Sequence, residues 1–271
     1  MIFNETKISL NEPLSNKIAL IDGDSILYAL ASETEEFIQE GYVFEDYALK
    51  DALEALKLRI QHIKERTGCL DAEIYISGNR QSNFRYQVDP NYKVNRKIQA
   101  KPIYLEPIRE LVSSSFSNVH KVDTAEPDDA VVTLYTQNPR RYYLCAIDKD
   151  ILNSCVGRHY NYKKDTFVET DYMRAYTWAY EQALSGDYSD GIKGCPGMGP
   201  KKAEKWMNSL IKEYGARLTE QDMWNELVKM YQTHFKNKEE ASVEALKNMR
   251  LVNMYQLQND LQTIKLYEIP T

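Results

Sequence analysis

The chain has 271 residues, 43% of them hydrophobic and 27% charged, and a net charge of −6. That is the composition of an ordinary globular protein with a real core, and it argues against a disordered polyelectrolyte and against a protein that coats nucleic acid indiscriminately. No apolar run approaches the roughly 18 residues of a spanning helix, the polar start MIFNETKISLNEPLSN lacks a basic-then-apolar leader, and the four cysteines form no CxxC pair. A cytoplasmic protein with reduced thiols is expected.

Charge is unevenly spread. Residues 33–54 carry eight acids against one base, whereas residues 80–102 carry six bases (Arg80, Arg85, Lys93, Arg96, Lys97, Lys101) against Asp89 alone. A basic stretch on an acidic chain can guide a polyanion to one place, and a solvated loop is the plain alternative.

In chain order, residues 17–21 (KIALI) form a short apolar run ending at Asp22 and predict a buried strand. Leu49, Leu53, Leu56, Ile60 and Ile63 recur at three- and four-residue steps, which predicts an amphipathic helix over 46–66 closed by Gly68. A strand near 72–77, the basic stretch, a helix around 105–114 and a strand near 118–122 follow. A helix opens at Pro127, whose missing N–H suits a first turn, and a strand near 142–147 comes next. Strands alternating with helices imply a mostly parallel sheet covered on both faces. From about 171 the pattern is helical only (171–184, 201–213, 221–234, 240–252), which suggests an α/β body over 1–180 and a helical region over 181–271.

The acids fall at predicted strand ends. Asp22 ends the first strand, Glu126, Asp128 and Asp129 follow the strand at 118–122, and Asp148 and Asp150 follow the strand at 142–147. Parallel strands finish on one edge, where such folds bind ligands, so these six carboxylates are expected to converge. Close carboxylates repel one another unless a hard divalent cation neutralises them, and oxygen donors suit Mg²⁺ or Mn²⁺. Taken singly, each could be a solvated loop acid or a helix cap. A second signal is GDYSDGIKGCPGMGPKKAEKWM at 186–207. Gly197 and Gly199 allow a tight turn between helical stretches, and Lys201 and Lys202 lie in the first turn of the next helix. Backbone amides, helix dipole and lysines would all attract a phosphate, the pattern of a helix-hairpin-helix that holds duplex backbone without reading bases.

Over about residues 17–210 the sequence resembles the flap endonuclease and 5′–3′ exonuclease family, which includes the 5′-nuclease domains of bacterial DNA polymerases and phage enzymes. The matching segments are Asp22 in LIDGDSILYA, Phe84-Arg85 with Tyr92-Lys93-Val94-Asn95-Arg96, Glu126 with Asp128 and Asp129, Asp148 with Asp150, and GDYSDGIKGCPGMGPKKA, which adds Asp187 and Asp190. The resemblance implies a PIN-like α/β body, a helical arch at about 80–102 and a C-terminal helix-hairpin-helix region. It implies two metal ions, with Asp22, Glu126, Asp128 and Asp129 resembling one ligand set and Asp148, Asp150, Asp187 and Asp190 the other. Lys93 matches the family's catalytic lysine, Arg85 a second cation on the attacked phosphate, and Arg96 a holder of backbone phosphate. Tyr92, with Phe84 and Tyr86, would stack on a splayed strand. The implied activity is hydrolysis of DNA at a 5′ flap, fork or free 5′ end, leaving a 5′-phosphate and a 3′-hydroxyl. The hairpin could also hold K⁺. A monomer with no membrane association, from a bacterium or a phage, completes the expectation.

Gly78 stands where the family usually carries an aspartate, seven residues before Arg85. Asp24 could supply that carboxylate, since residues i and i+2 share a face in extended backbone, and Gly191 replaces the usual asparagine of the second motif. Two other readings compete. A haloacid-dehalogenase-type phosphatase would explain Asp22-x-Asp24 but not the hairpin or the YKxxR stretch. A catalytically weakened relative that only binds branched DNA would explain Gly78.

Overall fold

The structure is a computed structural model that describes residues 16–98 and 100–271. The expectation about the first residues therefore lies outside the described residues, as do the side chains of Arg80 and Lys97 in the basic stretch. In chain order the elements are β1 (Ile18–Asp22), α1 (Asp24–Gln39), α2 (Glu45–Thr67), β2 (Asp71–Ser77), α3 (Arg85–Val88), α4 (Leu105–Ser115), β3 (Val119–Val122), α5 (Pro127–Gln137), β4 (Tyr142–Cys145), α6 (Lys149–Ser154), β5 (Gly157–Asn161), β6 (Thr166–Thr170), α7 (Tyr172–Ser185), α8 (Pro200–Tyr214), α9 (Glu220–Gln232) and α10 (Lys238–Val252).

The chain divides into two compact units. The first holds the described residues up to Ile76 together with Pro102–Lys121 and Leu134–Tyr172. It is organised by one six-stranded sheet in the order β3-β2-β1-β4-β5-β6. The β1–β2, β1–β4 and β4–β5 pairs are parallel, and β5–β6 is antiparallel. This is the mostly parallel, PIN-like α/β arrangement expected. β1 is central, so Ala19, Leu20 and Ile21 are fully buried and the strand reads as a continuous apolar run rather than an alternating one. The core gathers Ile26, Leu27 and Leu30 of α1, Leu56 and Ile63 of α2, Ile108 and Val112 of α4, and the sheet residues Ile21, Ile74 and Ile76. Helix α2 stops at Gly68, whose left-handed backbone (φ 70°) lets its N–H reach back to the Lys64 carbonyl.

The second unit comprises Ser77–Lys101, Val122–Thr133 and Met173–Thr271. Its core is built by α7–α10 around Met207, Met223, Leu227, Tyr231, Ala241, Ala245 and Met249. A capping box at Thr219 and Asp222 opens α9, and Asn237 caps α10. The Tyr231 hydroxyl donates to the Ala183 carbonyl at 2.6 Å, so this buried ring satisfies its polar end. Among the described residues no helix is long and apolar enough to cross a membrane.

Helix α1, whose second half is crowded with acids, the short helices α3 and α6, and the β5–β6 hairpin, whose mixed polar residues show no alternation, were not read from sequence. The segment expected to form the arch, at 80–102, folds as short helical turns over Arg80–Ser82, Arg85–Val88 and Val94–Ile98.

Candidate active site

Asp22 is the last residue of β1, and the chain turns sharply after it. Gly23 makes that turn possible, because a Cβ there would lie 2.6 Å from Ile74 Cγ2 and 2.8 Å from Ile76 Cγ2. The Gly23 N–H donates to the Tyr75 carbonyl at 2.8 Å, which pins the turn to β2. The Asp22 carboxylate is 3% exposed and accepts the Asp24 N–H at 3.3 Å and the Ser25 hydroxyl at 3.5 Å. Burial first, and then the nearby charges of Asp24 and Asp148, push its pKa up to about 8. Asp148 caps α6, accepting the Asp150 N–H at 2.8 Å, and Asp150 is itself buried. In the first unit the structure thus places Asp22 beside Asp24 and Asp148. The backbone linking Asp22 to Asp24 is not extended, as supposed above. Gly23 is helical and Asp24 opens α1, with one carboxylate oxygen 3.5 Å from Arg109 Nη2.

The acids of the second unit are arranged around cations. Lys93 Nζ is clasped by Glu126 Oε1 and lies 3.5 Å from Asp190 Oδ2. The Tyr92 hydroxyl lies 2.9 Å from Glu126 Oε2 and 3.0 Å from Asp190 Oδ2. Arg96 forms an ion pair with Asp190 Oδ1, and the Lys93 N–H donates to the Asp190 carbonyl at 2.7 Å. Burial would raise Glu126, but Lys93 and then Arg85 pull it down to about 2. Burial would likewise lower the Lys93 ammonium, yet Glu126 and Asp190 hold it above its usual value. Lys93 sits in the left-handed region (φ 55°), a conformation that costs a side chain about 1–2 kcal/mol relative to glycine. In the neighbouring turn, Asp187 accepts both the N–H and the hydroxyl of Ser189 at 2.7 Å, and Gly191, where the family has asparagine, adopts φ 72°.

The structure packs several of the expected site residues away from solvent. Arg85 is 2% exposed; it donates to both oxygens of Asp129 (2.6 and 2.8 Å) and through Nε to the Leu251 carbonyl at 2.7 Å. Asp129, fully buried, also accepts the Glu126 N–H at 2.9 Å, so its oxygens are committed to Arg85 and to the start of α5. Arg85 and Asp129 therefore form a buried pair that positions Glu126, because the Asp129 carboxylate that meets Arg85 also holds the Glu126 N–H in the turn opening α5. Phe84 and Tyr92 are also buried, with Arg85 stacked 4.7 Å over the Phe84 ring, so neither ring offers a face to a splayed base. Tyr92 acts through its hydroxyl on Glu126 and Asp190, a role its motif position alone does not reveal. At the hairpin, only Gly197 uses left-handed backbone (φ 72°); Gly199 is extended and caps α8. Lys201 and Lys202 are exposed, and Lys202 Nζ donates to the Gly197 carbonyl at 2.8 Å.

The structure also accounts for Gly78. A Cβ there would lie 2.0 Å from Asp123 Oδ1 and 3.1 Å from the Val122 carbonyl. Asp123, which sequence reasoning missed, fills the space a side chain at 78 would need and accepts the Asn79 N–H at 2.6 Å. Gly78→Asp should therefore cost about 1–3 kcal/mol of stability through the clash and the displaced hydrogen bond. Gly78→Asp with Asp123→Gly should recover most of it in thermal melts. Equal melting temperatures for the single variant and the native chain would refute this account.

Among the described residues, no group of three or more acidic, histidine or cysteine side chains is gathered as a ready metal cage. The residues nevertheless suit hard cations. Asp22 is buried beside like charges at a cost a cation would relieve, and the second unit's acids are neutralised by Lys93 and Arg96, as metal-free carboxylates must be.

No protein-family model matches the chain. It is 27% identical over 228 residues to the thermostable DNA polymerase I of Thermus aquaticus, covering 77% of this chain and 25% of that protein. It is also 27% identical over 215 residues to the exodeoxyribonuclease of Enterobacteria phage T3, covering 70% of this chain and 66% of the relative. The chain thus spans a quarter of one relative's length and about two thirds of the other's. Among solved structures, the bacteriophage T5 flap endonuclease in a complex with DNA and metal ions superposes with a TM-score of 0.63 at 16% identity, covering 90% of this chain and 92% of that one. The T5 5′-exonuclease with bound zinc superposes with a TM-score of 0.62 at 15% identity, covering 91% and 95%. The structural likeness shows the fold, and at 27% identity the aligned sequences make the chain similar to a bacterial DNA polymerase I and a phage exodeoxyribonuclease.

Proposed function

We propose that this chain is a metal-dependent nuclease that hydrolyses DNA phosphodiester bonds at a 5′ flap, fork or free 5′ end, leaving a 5′-phosphate and a 3′-hydroxyl. The observation that carries this reading is Lys93, held in strained backbone and clasped by Glu126 and Asp190. Asp22, Asp148 and Asp150 in the first unit and Glu126, Asp128, Asp187 and Asp190 in the second are the ligands proposed for two divalent ions, Mg²⁺ or Mn²⁺. When bound, such ions activate the attacking water and offset charge on the phosphate. The chain's own groups do the rest. The Lys93 ammonium stabilises charge developing on the phosphate oxygens. Tyr92 orients Glu126 and Asp190, and the Arg85–Asp129 pair fixes the turn that carries Glu126. Arg96, exposed at its ion pair with Asp190, holds a backbone phosphate.

The amides around Gly197 and Gly199 and the lysines Lys201 and Lys202 are proposed to hold duplex backbone. Lys202 already places an ammonium on the Gly197 carbonyl, which marks that oxygen as one a K⁺ ion could also use. Replacing Lys201 and Lys202 by alanine should weaken duplex binding and flatten the slope of log K against log salt by roughly one unit per lost phosphate contact. An unchanged slope in binding titrations would remove the hairpin from the DNA contact. A monomer working in the cytoplasm of a bacterium or of a phage's host is the accompanying proposal.

The deciding experiment is incubation of a 5′-labelled flap duplex with the protein and Mg²⁺. Short 5′ products are expected, and EDTA should abolish them. Gly78 supports a second reading, a weakened relative that binds branched DNA without cutting it. Stoichiometric binding with no product in Mg²⁺ or Mn²⁺ would establish that reading in place of the first.

A further inference from the structure

Phe84 and Tyr92 are buried in the second unit, and Tyr86 packs against its core. Tyr188, in the same unit, is the opposite case. It is 89% exposed, more than any other large apolar or aromatic side chain among the described residues. A single exposed aromatic needs no explanation by itself; the setting of Tyr188 supplies one. Its carbonyl accepts the Asn95 side-chain amide at 3.0 Å and the Gly191 N–H at 3.2 Å, and the next carbonyl, of Ser189, accepts Arg96 Nε at 3.3 Å. Asp187 and Ile192 exchange two backbone hydrogen bonds, at 2.9 and 2.8 Å, which close the turn. Gly191 lies so near the segment before it that a Cβ there would stand 3.5 Å from the Asn91 carbonyl. The segment 91–96 thus holds the turn 187–192 in place while the Tyr188 ring stands in water.

Tyr188 lies between Asp187 and Asp190, and Asp190 is the acid that both Lys93 and Arg96 meet. At about 3.8 Å per residue the Cα atoms of Tyr188 and Asp190 are at most about 7.6 Å apart, within the reach of one nucleotide from its phosphate to its base. A tyrosine ring has only two side-chain torsions to freeze, so one already held at its backbone loses little entropy on stacking. Every base has a π face to offer, but in continuous duplex both faces are covered by the neighbouring pairs, so the ring can serve only a base that is unpaired. We infer that Tyr188 receives the base of an unpaired nucleotide whose phosphate lies at Arg96. The ring favours forked or frayed 5′ strands over continuous duplex and does so without regard to sequence. This assignment rests on the reading of the chain as a DNA phosphodiesterase and names the part of the substrate that the ring meets.

The test uses the full chain and a 5′-forked duplex with 2-aminopurine, a fluorescent base that dims on stacking, at the first unpaired nucleotides of the 5′ strand. Binding is titrated in Ca²⁺, which fills oxygen sites in looser geometry than Mg²⁺ demands, and product formation is followed separately in Mg²⁺. The native chain should dim the probe. Tyr188→Ala should lose that dimming and bind the fork roughly tenfold more weakly or worse, with its affinity for continuous duplex unchanged. Tyr188→Phe and Tyr188→Trp should keep both signals, whereas Tyr188→Leu, apolar but without a ring face, should behave as the alanine variant does. The slope of log K against log salt should stay native in all four, since no phosphate contact is lost, while Arg96→Ala should flatten it. At 89% exposure none of the four should alter the circular dichroism. Native fork affinity in Tyr188→Ala, or leucine serving as well as phenylalanine, would overturn the assignment. Products formed in Mg²⁺ by a chain whose fork binding ignores Tyr188 would sink this inference alone, and ring-dependent binding without products would sink the nuclease reading alone.

Discussion

Replacing Lys93 by alanine should lower turnover on a 5′-flap substrate by about 10²–10³, the usual cost of removing one cation or donor aimed at transition-state charge, while flap affinity changes only a few-fold. The split follows from when the ammonium is needed. In the resting protein its charge is spent on Glu126 and Asp190, so it contributes little to ground-state binding. As negative charge builds on the attacked phosphate it gains a stronger partner, and a group that binds the transition state better than the substrate affects kcat rather than KM. The backbone supports the same assignment, because glycine would sit at φ 55° without strain and the chain keeps lysine there. Single-turnover kinetics beside binding titrations separate the two quantities. A Lys93→Ala enzyme with native turnover, or one whose defect lies wholly in flap affinity, would show that the cation is not in the reaction.

The second large effect concerns Asp22 and pH. Its carboxyl stands at about 8 in the folded chain against 3.8 for an ordinary aspartate, chiefly through burial and then through Asp24 and Asp148. A divalent ion binds the carboxylate, so below about pH 8 it must displace a proton, and affinity should rise about tenfold per pH unit from roughly pH 6 until it levels off near pH 8. Calorimetric titration with Mn²⁺ in buffers of different ionisation enthalpy should register that released proton. Asp22→Asn should weaken binding and flatten the slope. Stability of the metal-free protein should run the opposite way. A folded-state pKa raised above its unfolded value means the folded chain holds the proton more tightly. The native fold is therefore most favoured below about pH 4 with respect to this group, and that advantage is lost as pH rises to about 8. Every tenfold difference in proton affinity between the folded and unfolded chain is worth about 1.4 kcal/mol, so in EDTA Asp22→Asn should raise the melting temperature at pH 8 more than at pH 6. Glu126 behaves in the reverse sense: its pKa is depressed to about 2, so its contribution to stability is present above its ordinary value of 4.5 and is lost as pH falls towards 2. A metal affinity that does not vary with pH would place Asp22 outside the ion's ligand set.

The sequence by itself determined the central strand, the alternation of strand and helix, the α2 and α5 helices and the positions of the acids. These are short-range properties. An apolar run, a three-four spacing, a proline in a first turn and a glycine at a helix end each act within a few residues, so the chain carries them openly. Only the tertiary structure decided what the charged groups do. Arg85 and Asp129 lie far apart in sequence and are both almost wholly buried, and burial of a charge is tolerable only where a distant partner arrives to meet it. The same holds for the Tyr92 hydroxyl between Glu126 and Asp190, and for Asp123 filling the space beside Gly78. A motif shows which residue types are present; desolvation and the company of remote side chains decide which of them stays poised for chemistry and which becomes part of the frame.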